Sequence, residues 1–299
     1  MADGLTARPD PRITPARPDL AADHLEGVVA AERYAAPRWR RVAATLAPVT
    51  ARPDAEAPMT TQLLLGERFA VYEAAGGWVW GQAEADGYVG YAPEACFGPD
   101  APAPTHRVVA LQALVYPEPD LKTRPCAAAP YGAAVAAEAA EGAWIALADG
   151  GHVPRPHLAP LAASADDWVA EAARFLGAPY LWGGRSAAGI DCSGLIQVAR
   201  QAAGLPCPRD SDMQAAAPGR DAPRLRRGDL VFWRGHVGVM LSPTRLLHAN
   251  AFHMAVVAEP FAEAAARIEA TGGGAVTARR RWPARPLSKP APTALVSLP

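Results

Sequence analysis

The chain contains an internal repeat at a fixed offset of 66 positions, which limits the folds that its first half can adopt. Short apolar runs in the repeat are separated by Gly-Gly and Asp-Gly pairs, which are typical of β-hairpins. A period of this length is too long for a solenoid unit. The repeat therefore predicts two small β-barrels, over residues 37–100 and 101–162. The matching residues are Arg41-Val42 and Arg107-Val108, Val49 and Val115, Pro53-Asp54 and Pro119-Asp120, Gly66 and Gly132, Gly76 and Gly142, and Trp78 and Trp144.

The pattern changes to helices and then strands between residues 163 and 285. An amphipathic run over 166–176 predicts one helix, and a second helix is predicted from Cys192 to Gly204 with Asp191 as its N-cap. Helices followed by an antiparallel sheet indicate an α+β domain. The three predicted strands are 227–233, 236–241 and 245–249.

Two terminal segments flank these domains. Residues 1–36 are rich in Pro and Asp and then show a helical pattern from Leu20 to Val29, which suggests an arm that docks on a larger body. Residues 286–299 form a Pro-containing tail without periodicity, which we expect to be an extended strap or disordered.

Composition excludes several classes of function. The net charge of −1 and the scattered basic residues do not suit a nucleic-acid-binding protein. The four cysteines lack paired C-x-x-C spacing, so we predict neither a metal site nor a cofactor. Neither an apolar export signal nor a run of about 20 apolar residues is found, and we expect a cytoplasmic protein without membrane partners. The oligomeric state is left open.

Cys192 lies where a glycine-rich loop joins the second predicted helix. The positive end of a helix and the unpaired N–H groups of its first turn favour a thiolate. A cysteine nucleophile also needs a base, and the base needs a group that orients it. His236 opens one predicted strand and His248 lies near the end of the next, so antiparallel pairing would bring the two imidazoles together. The pattern predicts a Cys192–His236–His248 site.

Five motifs in this order resemble the NlpC/P60 cysteine peptidases, papain-like enzymes that cleave bacterial cell-wall peptides. The resemblance makes Cys192 the nucleophile, His236 the base and His248 its orienting group, with Tyr180 near the oxyanion. The strand and turn pattern of the repeat looks like bacterial SH3 domains. The implied fold is two small SH3-like β-barrels followed by an α+β papain-like NlpC/P60 domain. The motifs are Tyr180-Leu-Trp-Gly-Gly, Asp191-Cys-Ser-Gly-Leu, Arg227-Gly-Asp-Leu-Val-Phe-Trp, His236-Val-Gly-Val and Leu247-His-Ala.

The layout further resembles the γ-D-glutamyl-L-diamino acid endopeptidases, which cut L-Ala-γ-D-Glu from diaminopimelate or Lys in free murein peptides. This resemblance implies that the first SH3 domain binds the free L-Ala amine, with Tyr88 and Glu67 as candidates, because a phenol and a carboxylate suit an ammonium. The residues that match peptide-binding positions are Trp182, Asp191, Ser193, Arg209, Asp210 and Ser211.

Three functions are therefore considered. We expect a cytoplasmic peptidase that recycles free murein peptides such as L-Ala-γ-D-Glu-diaminopimelate. A second possibility is an exported wall hydrolase that uses its SH3 domains as anchors. A third is a non-catalytic protein that binds wall peptides. The intact Cys192, His236, His248 and Tyr180 argue against the third.

Overall fold

The N-terminal arm lies along the first barrel as an irregular strap. The computed structural model describes residues 9–283. The helix expected from Leu20 to Val29 is not formed, because Gly27 adopts a left-handed φ of 78° that interrupts helical backbone. Leu20 is fully buried, so the arm docks as predicted. The segment contains strands β1 (Ala21–Ala22) and β2 (Tyr34–Ala35), which pair in parallel, and a 3-10 turn at Asp23–Leu25. The tail predicted at 286–299 lies outside the described residues.

The first barrel is a seven-stranded antiparallel sheet in the order β5-β4-β8-β7-β6-β3-β9. Buried side chains such as Val42, Phe69 and Val79 fill its interior. The strands are β3 (Arg38–Val42), β4 (Leu46–Thr50), β5 (Met59–Leu64), β6 (Arg68–Ala75), β7 (Trp78–Ala83), β8 (Val89–Pro93) and β9 (Phe97–Gly98).

The second barrel surrounds a separate core that includes Val108, Ala113 and Val153. Its strands form three small sheets, in the orders β13-β10-β17, β11-β12 and β14-β15-β16. The strands are β10 (His106–Val108), β11 (Gln112–Val115), β12 (Ala127–Pro130), β13 (Ala134–Val135), β14 (Ala137–Glu141), β15 (Trp144–Leu147), β16 (His152–Pro154) and β17 (Leu158–Pro160).

The 66-residue repeat is a repeat of structure as well as of sequence. Gly66 donates its N–H to the carbonyl of Val42 at 2.9 Å, and Gly132 donates to Val108 at the same distance. Both glycines adopt left-handed backbone, with φ of 82° and 85°. The offset of 66 residues thus marks a turn that occurs in both barrels. Glycine at this position avoids the strain that a side chain would cause at a positive φ.

The C-terminal domain packs helices against a six-stranded sheet in the order β20-β25-β21-β22-β23-β24. The predicted α+β layout and its three strands are present, and sequence reasoning missed β20, β24 and β25. The helices are α1 (Trp168–Ala173), α2 (Cys192–Ala202), α3 (Ser211–Ala216) and α4 (Phe261–Ile268), the last followed by a π-helical turn at Glu269–Gly273. The strands are the small pair β18 (Arg185–Ser186) and β19 (Gly189–Ile190), then β20 (Arg220–Asp221), β21 (Leu230–Trp233), β22 (His236–Met240), β23 (Arg245–Asn250), β24 (Ala255–Pro260) and β25 (Ala278–Arg281).

Helix α2 is the centre of this domain. Ten of its eleven residues are buried, and its apolar side chains share one cluster with residues of β21, β22 and β23. The helix ends at Ala202, and Gly204 follows with a φ of 68°, as the sequence predicted. Within residues 9–283, the helices are too short or too polar to cross a bilayer.

Arg185 joins the first barrel to the C-terminal domain. Its side chain is 1% exposed and donates to the carboxylate of Glu67 at 2.9 and 3.0 Å and to the backbone carbonyl of Gln62 at 2.8 Å. A buried arginine needs such partners, because an unpaired buried charge is strongly destabilising. A buried ion pair therefore joins the first barrel to β18 of the C-terminal domain.

Candidate active site

Cys192 is the first residue of α2. Its N-cap, Asp191, accepts the N–H of Gly194 at 2.7 Å, as the sequence predicted. The backbone N–H groups of Ser193 and of Val237, the residue after His236, favour the charged form of the Cys192 sulfur. The thiol therefore lies at the junction between the start of α2 and the start of β22.

Burial controls the protonation of this thiol. Burial and the nearby charge of Asp191 raise the pKa of Cys192 to about 12, against the opposing effect of the backbone hydrogen bonds from Val237 and Ser193. The effect of the helix start, which favours a thiolate, is therefore smaller than that of burial. The thiol needs a base that takes its proton as it reacts.

His236 and His248 form the predicted pair. Strands β22 and β23 are antiparallel neighbours, and Nε2 of His236 lies 2.8 Å from Nδ1 of His248. His248 is fully buried. The second imidazole thus fixes the ring of the first.

A carboxylate and an arginine extend this pair. Nε2 of His248 lies 2.7 Å from Oε1 of Glu259, and both carboxylate oxygens of Glu259 accept from Arg267 at 2.6 Å. Burial disfavours the Glu259 carboxylate, but hydrogen bonds from Arg267 and His248 bring its pKa down to about 2. Glu259 is therefore an ionised acceptor.

The ionised Glu259 determines both imidazole tautomers. A carboxylate only accepts, so Nε2 of His248 carries a proton and its Nδ1 is an acceptor. Nε2 of His236 must then donate to that Nδ1. Burial, with the charges of His248 and Arg267, lowers the pKa of His236 to about 3, so this imidazole is neutral. Its Nδ1 is left with the lone pair that a general base needs.

A cavity of about 260 Å³ opens onto Cys192. It brings together most of the predicted site residues from the first barrel and the C-terminal domain. Tyr180 is half-buried there, and burial together with the charge of Cys192 raises its pKa to about 12, so its hydroxyl is a donor at neutral pH. Trp182 is 62% exposed at the mouth. The lining residues are Arg12, Thr60, Tyr88, Tyr180, Trp182, Asp191, Cys192, Ser193, Asp210, Ser211, Asp212 and Gly235.

Arg209 lies beneath this cavity and does not line it. Its guanidinium is 1% exposed and pairs with Asp191 at 2.6 and 3.0 Å. It also donates to Ser193 at 2.9 Å and to Thr61 of the first barrel at 2.7 Å. The predicted substrate-binding role of Arg209 is therefore corrected. It supports the start of α2 from below.

Glu67 is also placed away from the cavity. Its carboxylate is bound by Arg185 and accepts the N–H of Leu64 at 2.9 Å. Because these partners hold both carboxylate oxygens, Glu67 does not face the site where a substrate amine would bind. The prediction that Glu67 binds the amine is corrected.

Tyr88 and Asp210 meet across the domain boundary. The Tyr88 hydroxyl donates to Oδ2 of Asp210 at 3.1 Å, and both residues line the cavity. Burial raises the pKa of the Asp210 carboxyl, while Arg209 and Arg12 oppose this effect. A half-buried carboxylate beside a phenol oxygen provides acceptors for an ammonium group.

Sequence reasoning missed Glu259, Arg267 and Arg12. A signal for Glu259 exists, because Val257 pairs with His248 and residues two apart on a strand share a face. This signal could be used only if β24 were predicted first, because Glu259 shares a face with Val257 only when both lie on a strand. The local pair of Arg12 with Asp10 does not place its side chain at the cavity, and its partners there, Asp210 and Asp212, lie 198 and 200 positions away.

Comparison with known families agrees with this geometry. Residues 177–268 match the model of the NlpC/P60 family, and residues 49–95 match the model of the bacterial dipeptidyl-peptidase SH3 domain. The second match lies in the first barrel. The assignment of the second barrel to the SH3 fold stays a prediction.

Two curated relatives match part of the chain. The γ-D-glutamyl-L-lysine dipeptidyl-peptidase of Bacillus subtilis is 40% identical over 96 residues, which are 29% of this chain and 32% of the relative. Dipeptidyl-peptidase 6 of Lysinibacillus sphaericus is 38% identical over 84 residues, which are 27% of this chain and 31% of the relative. The matches thus span about a third of each relative's length.

A solved structure covers more of the chain. An NlpC/P60 family protein from Bacillus cereus superposes with a TM-score of 0.67 at 20% identity, covering 82% of this chain and 99% of that protein. A likeness at this identity shows a shared fold over the part of the chain that superposes.

Proposed function

We propose that this chain, which carries an NlpC/P60 domain and a bacterial SH3 domain, is a cysteine peptidase that hydrolyses short murein peptides. The bond cleaved is the amide between γ-D-Glu and a diamino acid, in peptides with a free N-terminal L-Ala. The name of the B. subtilis relative supports this class of substrate. The observation that carries the proposal is a single cavity that holds both Cys192 and the Tyr88–Asp210 pair.

The reaction begins with the transfer of the Cys192 proton to Nδ1 of His236. The sulfur attacks the γ-carbonyl carbon of D-Glu, and the resulting oxyanion receives hydrogen bonds from the first turn of α2 and from Tyr180. These first-turn N–H groups have no acceptor within the helix. The negative charge that develops on the carbonyl oxygen during attack therefore lies near N–H donors that are already oriented.

His236 then returns the proton to the leaving nitrogen. The C–N bond breaks, the diamino acid departs and L-Ala-γ-D-Glu stays on Cys192 as a thioester. Water attacks the thioester carbonyl as His236 takes one of its protons. When the C–S bond breaks, that proton passes to the sulfur, which restores the thiol and releases the dipeptide.

The Tyr88–Asp210 pair selects the free amine in this proposal. An α-ammonium group can form charge-assisted hydrogen bonds with a carboxylate, whereas an acetylated amine cannot. The loss of such a bond at a half-buried carboxylate corresponds to about 2–3 kcal/mol, or roughly 30- to 160-fold in rate. A cavity of about 260 Å³ also suits soluble fragments better than intact wall, which supports recycling of free peptides in the cytoplasm.

Mass spectrometry of defined substrates tests this function. The full chain is incubated with L-Ala-γ-D-Glu-diaminopimelate, the corresponding Lys peptide, their N-acetyl forms and intact sacculi, and Cys192→Ala is the control. We expect L-Ala-γ-D-Glu from one or both free peptides and turnover of the N-acetyl forms at least about 30-fold slower. Equal turnover of blocked peptides or sacculi would instead support an exported wall hydrolase. Binding without product would support a non-catalytic protein.

A further inference from the structure

The N-terminal arm contributes one charged side chain to the cavity. Arg12 lines it beside Asp210, and its guanidinium contacts three carboxylates. Nη1 donates to Asp210 at 2.9 Å and to Asp212 at 2.8 Å. Nη2 donates to Asp212 at 2.8 Å and to Asp10 at 2.7 Å, and Nε donates to Asp10 at 3.1 Å.

These contacts use every donor that Arg12 has. A guanidinium carries five N–H groups, and each has an acceptor here, since the Nε–H is shared between both carboxylate oxygens of Asp10 at 3.1 and 3.3 Å. Arg12 therefore has no free donor for a substrate carboxylate. The hydrogen bonds that it donates to Asp212 and Asp10 are the main cause of its raised pKa, so the group stays charged. Three carboxylates and one guanidinium leave the cluster negative, which still suits an incoming ammonium.

The backbone of the arm holds Arg12 in place. Its carbonyl accepts the N–H of Val89, the residue after Tyr88, at 2.8 Å. The next residue, Ile13, accepts from Gln82 at 3.0 Å. Further along the arm, Leu20 is fully buried. The arm is therefore fastened to the first barrel, while the Arg12 side chain reaches the start of α3 in the C-terminal domain.

We propose that Arg12 determines specificity by closing the end of the cavity where the substrate amine binds. Its ion pairs to Asp210 and Asp212 form a wall that leaves space for an amine but excludes an acyl group or a preceding residue. The same contacts hold Asp210 against Tyr88. This inference rests on the proposed function and assigns the discrimination against blocked peptides to the arm.

The test compares free and N-acetylated L-Ala-γ-D-Glu-diaminopimelate as substrates of full-length variants. The measured quantity is the ratio of kcat/KM for the free peptide to kcat/KM for the blocked peptide. Arg12→Ala should lower this ratio at least about tenfold, mainly through faster cleavage of the blocked peptide. Arg12→Lys, which can keep one ion pair, should give an intermediate ratio. Arg33→Ala is the matched control, because Arg33 lies on the same arm but pairs with Glu73 outside the cavity.

The outcomes separate this inference from the proposed function. If wild type does not cleave the free peptide, the proposed function fails and the inference fails with it. If wild type discriminates and Arg12→Ala keeps the ratio, even with lower activity on both peptides, the inference alone is overturned. Calorimetric binding of the N-acetyl peptide to Cys192→Ala, with and without Arg12→Ala, gives a readout free of turnover. Equal affinity of Cys192→Ala and of the Cys192→Ala, Arg12→Ala double variant for the N-acetyl peptide would also overturn the inference.

Discussion

His236 and His248 are joined by a hydrogen bond of 2.8 Å between Nε2 and Nδ1, although twelve positions separate them in the chain. The antiparallel pairing of β22 and β23 creates this contact, and Glu259 on β24 orients it. The result is a neutral base whose free nitrogen is Nδ1. In the proposed function, the helix start holds the nucleophile and the sheet supplies the base.

Replacement of the base should slow alkylation of Cys192. Because burial raises the pKa of this thiol to about 12, a thiolate is scarce at neutral pH, and alkylation depends on a base that takes the proton as the sulfur reacts. His236→Ala should reduce the iodoacetamide rate at pH 7.5 at least about tenfold, and the remaining rate should rise steadily towards pH 10. Peptide mass mapping measures labelling at Cys192. The control is His253→Ala, which should react like wild type. Equal rates in wild type and His236→Ala would contradict the role of the base.

Removal of the charge on Glu259 should lower kcat and leave KM nearly unchanged. Glu259→Gln keeps an acceptor for His248 but no longer stabilises positive charge on the imidazole pair, so we expect a 10- to 100-fold loss in kcat, roughly the scale of other supporting groups in active sites. Steady-state kinetics on the free tripeptide measures the effect. Glu263→Gln on the exposed face of α4 is the matched control. A rise in KM with unchanged kcat would show that Glu259 does not support the His236–His248 pair in catalysis.

The buried His236 should make the protein less stable in acid. Its folded pKa of about 3 lies below the ordinary 6.5, so between these values the unfolded chain binds a proton that the folded protein does not. Stability should therefore fall as pH falls from 6.5 towards 3, by at most about 1.4 kcal/mol per pH unit from this group. Glu259, with a pKa of about 2, adds a loss of the same sign between 4.5 and 2.

Thermal unfolding measures this dependence. The decline in Tm from pH 6.5 to 4.5 should be shallower in His236→Asn than in wild type. His24→Asn, which changes a 60% exposed imidazole, should follow wild type. A decline in His236→Asn as steep as that of wild type would show that another group is responsible.

Arg209→Met should affect stability more than substrate affinity. The change leaves the Asp191 carboxylate without its buried partner, which costs about 3–5 kcal/mol. Urea unfolding measures the loss. Arg52→Met removes an exposed pair with Asp54 and should cost less than about 1 kcal/mol. If Arg209→Met were as stable as Arg52→Met but raised KM, the substrate-binding role implied by the sequence resemblance would return.

The sequence predicts those parts of the site that local patterns encode. Asp191 is a capping residue before an apolar helical run, and the two histidines lie on successive apolar runs. Arg12, Glu67 and Arg209 could not be assigned correctly in this way. Their partners are distant in the chain, so only the packed domains show which charge each one meets. The thiol pKa was also misjudged, because burial of Cys192 outweighs the helix start.

The most direct test is hydrolysis of L-Ala-γ-D-Glu-diaminopimelate in ¹⁸O-labelled water, with wild type and Cys192→Ala compared by mass spectrometry. We predict that wild type releases unlabelled diaminopimelate and a dipeptide carrying one ¹⁸O in the γ-carboxylate of D-Glu, while Cys192→Ala releases neither. Cleavage at another bond, or cleavage by Cys192→Ala at the rate of wild type, would contradict a thioester formed at the start of α2.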